Sequence, residues 1–249
     1  MFSEEWNLQE LDTKADKILE KVINQGLAKY ISVPELNIKL PASINVENNK
    51  YVMIVCSGYP EHAGVWSYTL LEESRHGKGS LKKISMECYF QEIPEQIGIV
   101  VMNPHAEKLE MQPHDSIAIY VSQLKALCRY LTQSKSIKLL LMGYSLGGEG
   151  IIQFLQQNPD QLDRIHKLIL IDPTPPSLGR RKLAPKVLEL VDHAFFYGLC
   201  DQEGKPGEFA ELTKMRLKIT PHLIPCDLHG AMPNLVWPLI QKDLQTIID

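Results

Sequence analysis

Ser145 stands in Gly143-Tyr144-Ser145-Leu146-Gly147, with Gly148 after it. Before it runs Ile137-Lys138-Leu139-Leu140-Leu141-Met142, a short apolar stretch of strand character. After it, Ile151, Ile152, Phe154 and Leu155 fall at helical spacing and give out near Asn158-Pro159. A serine at such a strand-to-helix corner occupies a strained turn, which pushes its hydroxyl clear of the sheet edge. Gly143 and Gly147 lack Cβ atoms and let strand and helix approach on both sides. The Leu146 N–H falls at a helix N-terminus, where an oxyanion can be held. The chemistry this pattern suits is nucleophilic attack by a serine hydroxyl. The motif is short enough to recur by chance, so its partners must be sought elsewhere in the chain.

A serine hydroxyl is a weak nucleophile until a base takes its proton. A histidine can accept that proton and return it to the leaving group. A carboxylate behind the histidine fixes its tautomer and stabilises the imidazolium. In open α/β sheets such groups gather beyond the carboxyl ends of strands. The polar residues that end apolar runs are Ser57-Gly58-Tyr59, Asn103 and His105, Ser145, Asp172, Asp201 and His229. Two of these carboxylates compete for the acid's role. Asp201 closes the Ala194–Leu199 run, and Asp172 closes Leu168–Ile171, where it also reads as a strand-end Asp before a proline turn. Asp192 lies within a helical pattern and reads as solvated. His193 and His222 precede or begin strands, the wrong end for the chemistry. Asp227 sits two residues from His229 in an extended segment and is not taken as its partner. His62, Trp66, His105 and His114 are candidates to line a pocket, with exposed loop residues as the plain alternative for His62 and His114.

The elements that must hold these groups follow from periodicity. Leu8, Leu11, Ala15, Ile18, Leu19, Val22, Ile23 and Leu27 recur at three- and four-residue steps and predict an amphipathic helix from about Leu8 to Tyr30. Residues 1–30 then form an N-terminal helix packed on a single domain of residues 31–249; a partner-binding helix is the alternative. Ile31–Asn49, with Pro34 and Pro41, suggests short edge strands. Tyr51–Cys56, Ile97–Met102, Ile137–Met142 and Leu168–Ile171 are apolar runs of the kind buried in parallel sheets. Ala194–Leu199 and His222–Cys226 complete the strands. Helical patterns cover Asp115–Leu131, Val187–Val191, Glu208–Lys218 and Leu235–Ile248. Strands alternating with helices from Tyr51 onward predict a mostly parallel sheet with helices on both faces.

Composition narrows the function classes. At 249 residues, one α/β domain with a large core is the default. A net charge of −4 spread along the chain gives no electrostatic reason to expect a nucleic-acid partner. The one tight basic cluster, Arg180-Arg181-Lys182, reads as a solvated loop before a helix. Five cysteines, an odd number without a C-x-x-C pair, fit a reducing compartment better than a disulfide framework. The cysteines show no zinc-site spacing, so no metal is expected. The acidic start of the chain does not read as a secretory signal, and no apolar stretch approaches a membrane span, which makes a cytoplasmic address the simplest expectation.

From about Tyr51 to the C-terminus the chain resembles the α/β-hydrolase superfamily. The residues that carry the resemblance are the Gly143–Gly148 corner, the strand ending Ser57-Gly58-Tyr59-Pro60, and the late Asp201 and His229. The resemblance implies the α/β-hydrolase fold with a small cap or none, since only 22 residues separate Asp172 from Phe195. It implies Ser145 as nucleophile, His229 as general base and acid, and Asp201 as the acid that orients it. Some hydrolases draw the acid from the position of Asp172. The backbone oxyanion donors would be Leu146 and Tyr59. Many members carry His-Gly in the early loop where this chain has Ser57-Gly58. The implied activity is that of an esterase, lipase or thioesterase acting on a small-molecule ester or thioester through an acyl-enzyme, without a cofactor. Acyl transfer with the same residues, or a non-catalytic member acting by binding, are the other readings. A lid, if present, would come from Thr174–Lys186 or from Glu72–Gln96.

Overall fold

Four strands, buried on both faces apart from the first residues of β5 and β6, set the frame: β3 (Tyr51–Cys56), β4 (Ile97–Val101), β5 (Lys138–Tyr144) and β6 (Ile165–Ile171). The computed structural model describes residues 8–36, 38–58, 63, 86–102, 113–133, 137–177, 179–226 and 228–248. With β1 (Ala28–Ser32), β2 (Lys39–Ser43), β7 (Phe195–Cys200) and β8 (His222–Pro225), these strands form an eight-stranded sheet ordered β1-β2-β4-β3-β5-β6-β7-β8. Every pairing from β4 to β8 is parallel, and β1 and β2 run antiparallel at one end.

Alternation along each central strand divides the core in two. Val52, Ile54, Cys56, Leu139, Leu141, Leu168 and Leu170 point into one layer, with buried residues of α3 (Pro113–Thr132), α4 (Leu146–Gln157) and α5 (Pro185–Asp192). Tyr51, Met53, Val55, Leu140, Met142, Ile169 and Ile171 point into the other, with α1 (Leu8–Asn24), α2 (Met86–Glu92) and α7 (Met232–Ile248). One further helix, α6 (Glu208–Leu217), follows β7. The strands therefore read as continuous apolar runs because both of their faces are covered.

Several boundaries differ from the sequence expectation; β6, for one, starts at Ile165 and not at Leu168. The N-terminal helix stops at Asn24 instead of running to Tyr30. Gly26 takes a left-handed φ of 73°, its N–H reaches Ile23 O at 2.9 Å, and the Leu27 N–H reaches Val22 O at 3.1 Å. This is a Schellman termination, and it hands the next residues to β1. The closing helix begins at Met232, three residues before Leu235.

Leu11, Ala15, Leu19 and Val22 of α1 are buried, at intervals of four, four and three residues. Leu19→Ala should lower the unfolding free energy by about 2–4 kcal/mol in a urea titration of the full chain. An unchanged midpoint would mean that α1 docks without contributing. No disulfide joins the described cysteines Cys56, Cys128, Cys200 and Cys226, and all four are buried. Among the described residues, no helix is long and apolar enough to cross a membrane.

Candidate functional site

Ser145 sits between the end of β5 and the first turn of α4, with φ 51° and ψ −123°. A non-glycine residue rarely adopts this backbone, so the surrounding structure must hold it there. The Ser145 N–H donates to Ile171 O at 3.1 Å, and the Ser145 carbonyl accepts from Thr174 N at 2.9 Å and Gly148 N at 3.0 Å. The turn also depends on close backbone approach. A Cβ on Gly147 would lie 2.3 Å from both Cys56 O and Ser57 O, and a Cβ on Gly143 would lie 2.7 Å from Gly148 Cα. The two glycines thus seat α4 against the end of β3 and against β5, as the motif's spacing predicts.

Asp172 follows β6 directly and also has a left-handed φ, 36°. Its N–H donates to Tyr197 O at 2.7 Å. Its carboxylate is buried and doubly engaged: Oδ1 accepts the Leu199 N–H at 3.2 Å, and Oδ2 lies 2.6 Å from His229 Nδ1. With a carboxylate at that distance, Nδ1 carries the proton and donates it.

His229 begins a short 3-10 turn that leads into α7. Its ring stacks on Tyr144 at a centroid distance of 4.9 Å and meets the edge of Phe209 at 5.3 Å. The Tyr144 hydroxyl donates to the His229 carbonyl at 3.1 Å. Two aromatic rings and one carboxylate therefore fix the imidazole. Its Nε2 is buried and carries no hydrogen bond among the described residues. The stacking places this free nitrogen's ring beside the residue that precedes Ser145. No hydrogen bond joins Ser145 Oγ to Nε2 in this structure.

The acid expected at Asp201 is engaged elsewhere. Asp201 is exposed, and its Oδ1 accepts the N–H groups of Glu203 at 3.0 Å and Lys205 at 2.8 Å. Gly204 closes this turn at φ 83°, with its N–H on Asp201 O at 3.1 Å. The carboxylate caps its own turn, and Asp172 takes the place beside His229. The sequence did carry a signal of this: Asp201-Gln202-Glu203-Gly204 has the Asp and Gly of a self-capped turn. The other sequence candidates stay apart. His193 Nδ1 lies 2.9 Å from Glu189 O, and His222 starts β8 with its ring 6.1 Å from that of Tyr197. Asp192 pairs with Arg180, which takes that arginine out of a free basic cluster.

Leu146 is the first residue of α4, so its N–H has no partner within the helix. Tyr59, His62, Trp66, His105 and Asp227, and the side chain of His114, lie outside the described residues. Gly58 is described, and a Cβ on it would stand 3.4 Å from Ser145 Cβ. The end of β3 thus reaches the serine.

The segment after Asp172, one of the two lid candidates, is fastened down. Thr174 binds Ser145 O as above, and Arg216 Nη1 donates to Pro176 O at 2.6 Å. The Ser177 N–H and hydroxyl both reach Glu149 Oε1, at 3.0 and 2.8 Å. Arg180 grips the Asp192 carboxylate and donates to Leu217 O at 3.0 Å. These bonds fasten the described residues of the segment to Ser145, α4, α5 and α6.

No protein-family model matches the chain, and no curated protein matches it. Solved structures do match. The histone deacetylase Clr3 is similar at 11% identity and a TM-score of 0.59, over 99% of this chain and 40% of that one. This chain therefore spans about two fifths of the length of that relative. A CIB-like hydrolase from Thermoplasma acidophilum is similar at 10% identity and a TM-score of 0.56, over 88% of this chain and 96% of that one. An α/β serine hydrolase homologue from Coxiella burnetii is similar at 14% identity and a TM-score of 0.51, over 89% and 97%. At such identities the likeness carries the fold and leaves function to the site. The chain has the α/β-hydrolase fold.

Proposed function

We propose that this α/β-hydrolase-fold chain is a serine hydrolase that cleaves carboxylic esters or thioesters through an acyl-enzyme on Ser145. The observation that carries the reading is the Asp172–His229 pair, 2.6 Å apart, whose imidazole has an unpartnered Nε2 and stacks on the residue before a strained Ser145. A merely structural histidine would have used both ring nitrogens or left the outer one to solvent.

In this reading Nε2 takes the Ser145 proton as Oγ attacks the acyl carbon. The carbonyl π electrons move to oxygen, and the resulting oxyanion is held by the Leu146 N–H and the amide of Tyr59. The intermediate collapses, expelling an alkoxide or thiolate that leaves with the proton from Nε2. Water then repeats the sequence on the acyl-enzyme, with Nε2 as base and then acid. Asp172 holds the Nδ1–H throughout and stabilises the imidazolium. An alcohol or amine in place of water would make the same residues an acyltransferase.

The test is labelling by a fluorophosphonate probe, with the adduct located by peptide mass spectrometry. Wild-type chain should carry the adduct on Ser145, and Ser145→Ala should carry none. An unlabelled wild type would sink the reading. It would favour a binding protein built on this fold, a role to which the missing Ser145–His229 hydrogen bond also points. Catalytic hydrogen bonds often tighten only on substrate, so the missing bond does not outweigh the Asp172–His229 geometry.

A further inference from the structure

Four cationic side chains scattered through the sequence come together at the amino ends of β3, β5 and β6: Lys50, Lys138, His166 and Lys167. The sheet register makes them neighbours. The Lys138 N–H donates to Lys50 O at 3.0 Å, Tyr51 pairs with Lys138, and Leu139 pairs with Ile165. Their common base is the Tyr51 ring. Lys50 Nζ lies 5.1 Å and Lys138 Nζ 5.8 Å from its centroid, and the His166 ring lies 5.5 Å from it. Lys167 Nζ sits 4.0 Å over the Phe195 ring. Aromatic faces hold ammonium groups in place without neutralising them. Among the described residues, none of the four cations makes an ion pair. Burial, and then the charges of Lys138, Lys167 and Lys50, hold the His166 imidazole below its ordinary pKa. Beside this cluster lies a cavity of about 340 Å³, lined by His166 and Lys167 with Leu162, Leu190 and His193. Its carboxylates are Asp163, which Lys186 occupies at 2.7 Å, and Glu189 on the α5 wall. Asp243, whose charge reaches Lys167, accepts the Tyr197 hydroxyl.

We propose that this cavity and the lysines beside it bind a phosphomonoester group carried on a small molecule. The chain as a whole has a net charge of −4, so three unpaired ammonium groups and an imidazole at one sheet end are a local concentration against the overall sign. Like charges gathered without partners repel, and a bound anion relieves that repulsion. A dianion answers several ammonium groups at once, which a single carboxylate does less well. Leu162 and Leu190 offer an apolar wall to the carbon body of the ligand. Lys138 opens the seven-residue β5 and Ser145 follows its end. At 3.3 Å per residue the site therefore lies about 23 Å from the serine. The inference stands apart from the hydrolase reading and does not depend on it.

Isothermal titration calorimetry of the full chain with inorganic phosphate and with glycerol 3-phosphate, chloride matching the ionic strength, reads the binding. Wild type should bind both, glycerol 3-phosphate the more tightly. Lys50→Gln and Lys138→Gln should each weaken binding by about threefold or more, and the double variant by about tenfold or more. Both lysines are exposed, so the variants should melt with the wild type. Ser145→Ala should bind as the wild type does; a loss there would put the ion at the serine and overturn the proposal. His166 gives a second readout. Phosphate beside it offsets the three lysines and favours the imidazolium. The NMR titration midpoint of its ring, assigned with His166→Gln, should therefore move up in phosphate and stay put in chloride. A midpoint that phosphate leaves unmoved, or moves equally in the double variant, would count decisively against the site. Phosphatidylcholine vesicles carrying phosphatidic acid separate the two sources of the group. Co-sedimentation that the double variant loses would move the group to a lipid headgroup and overturn the small-molecule assignment.

Discussion

Asp172→Asn is expected to lower kcat on a simple aryl ester by roughly 10³–10⁴-fold, the scale on which a triad acid matters elsewhere. The cause is a tautomer. The Asp172 carboxylate accepts from His229 Nδ1, which leaves Nε2 free as the base. An asparagine offers its amide N–H to Nδ1 instead, which drives the imidazole proton to Nε2 and removes the base. The variant should still fold, because Asn Oδ1 can keep the Leu199 N–H that Asp172 accepts at 3.2 Å. Asp201→Asn is the paired control. Its acceptor oxygen still caps the 201–205 turn, and kcat should stay within about twofold of wild type, as for a surface substitution away from the site. Steady-state kinetics on both variants decide the assignment. Equal losses in the two, or a larger loss at Asp201, would return the acid to Asp201.

The second large effect is on folding. Gly147→Ala should cost about 3 kcal/mol or more, since its Cβ would collide at 2.3 Å with two backbone carbonyls that belong to the end of β3 and cannot swing aside. For a chain of this size that corresponds to a fall of roughly 6–12 °C in Tm, or to failure to accumulate as folded protein. Gly179→Ala provides the contrast. Nothing lies within 4 Å of a Cβ there, and φ is −74°, so the substitution should be neutral or stabilise by about 0.4–1 kcal/mol through the unfolded chain. Differential scanning calorimetry of the two variants reads the difference directly. A Gly147→Ala variant that melts with the wild type would mean that α4 does not seat on β3 as described.

Much of this was legible in the sequence because burial on both faces writes itself as unbroken apolar runs. Tyr51–Cys56 and Leu139–Met142 have no polar residue, and both lie in the middle of the sheet. The serine's corner was legible for a similar reason, since its flanking glycines have one local explanation. What failed to show were choices decided by contact across the sheet. Ala28–Ser32 continues the apolar spacing of α1, and only the left-handed turn at Gly26 diverts it into β1. Asp172 and Asp201 both end strands, and order along the chain does not say which reaches His229. That depends on β7 lying next to β6, so that Tyr197 O captures the Asp172 N–H, and on the 201–205 turn consuming its own carboxylate.

With Asp172 as the acid, nucleophile and acid stand on neighbouring strands, β5 and β6, joined by the hydrogen bonds from Ser145 N to Ile171 O and from Thr174 N to Ser145 O. In the proposed serine-hydrolase reading the loop after β7 then carries no chemical duty. It becomes the place where this scaffold has latitude to diverge: residues 202–205 can lengthen, shorten or acquire a recognition surface of their own without disturbing the alignment of Ser145, His229 and Asp172.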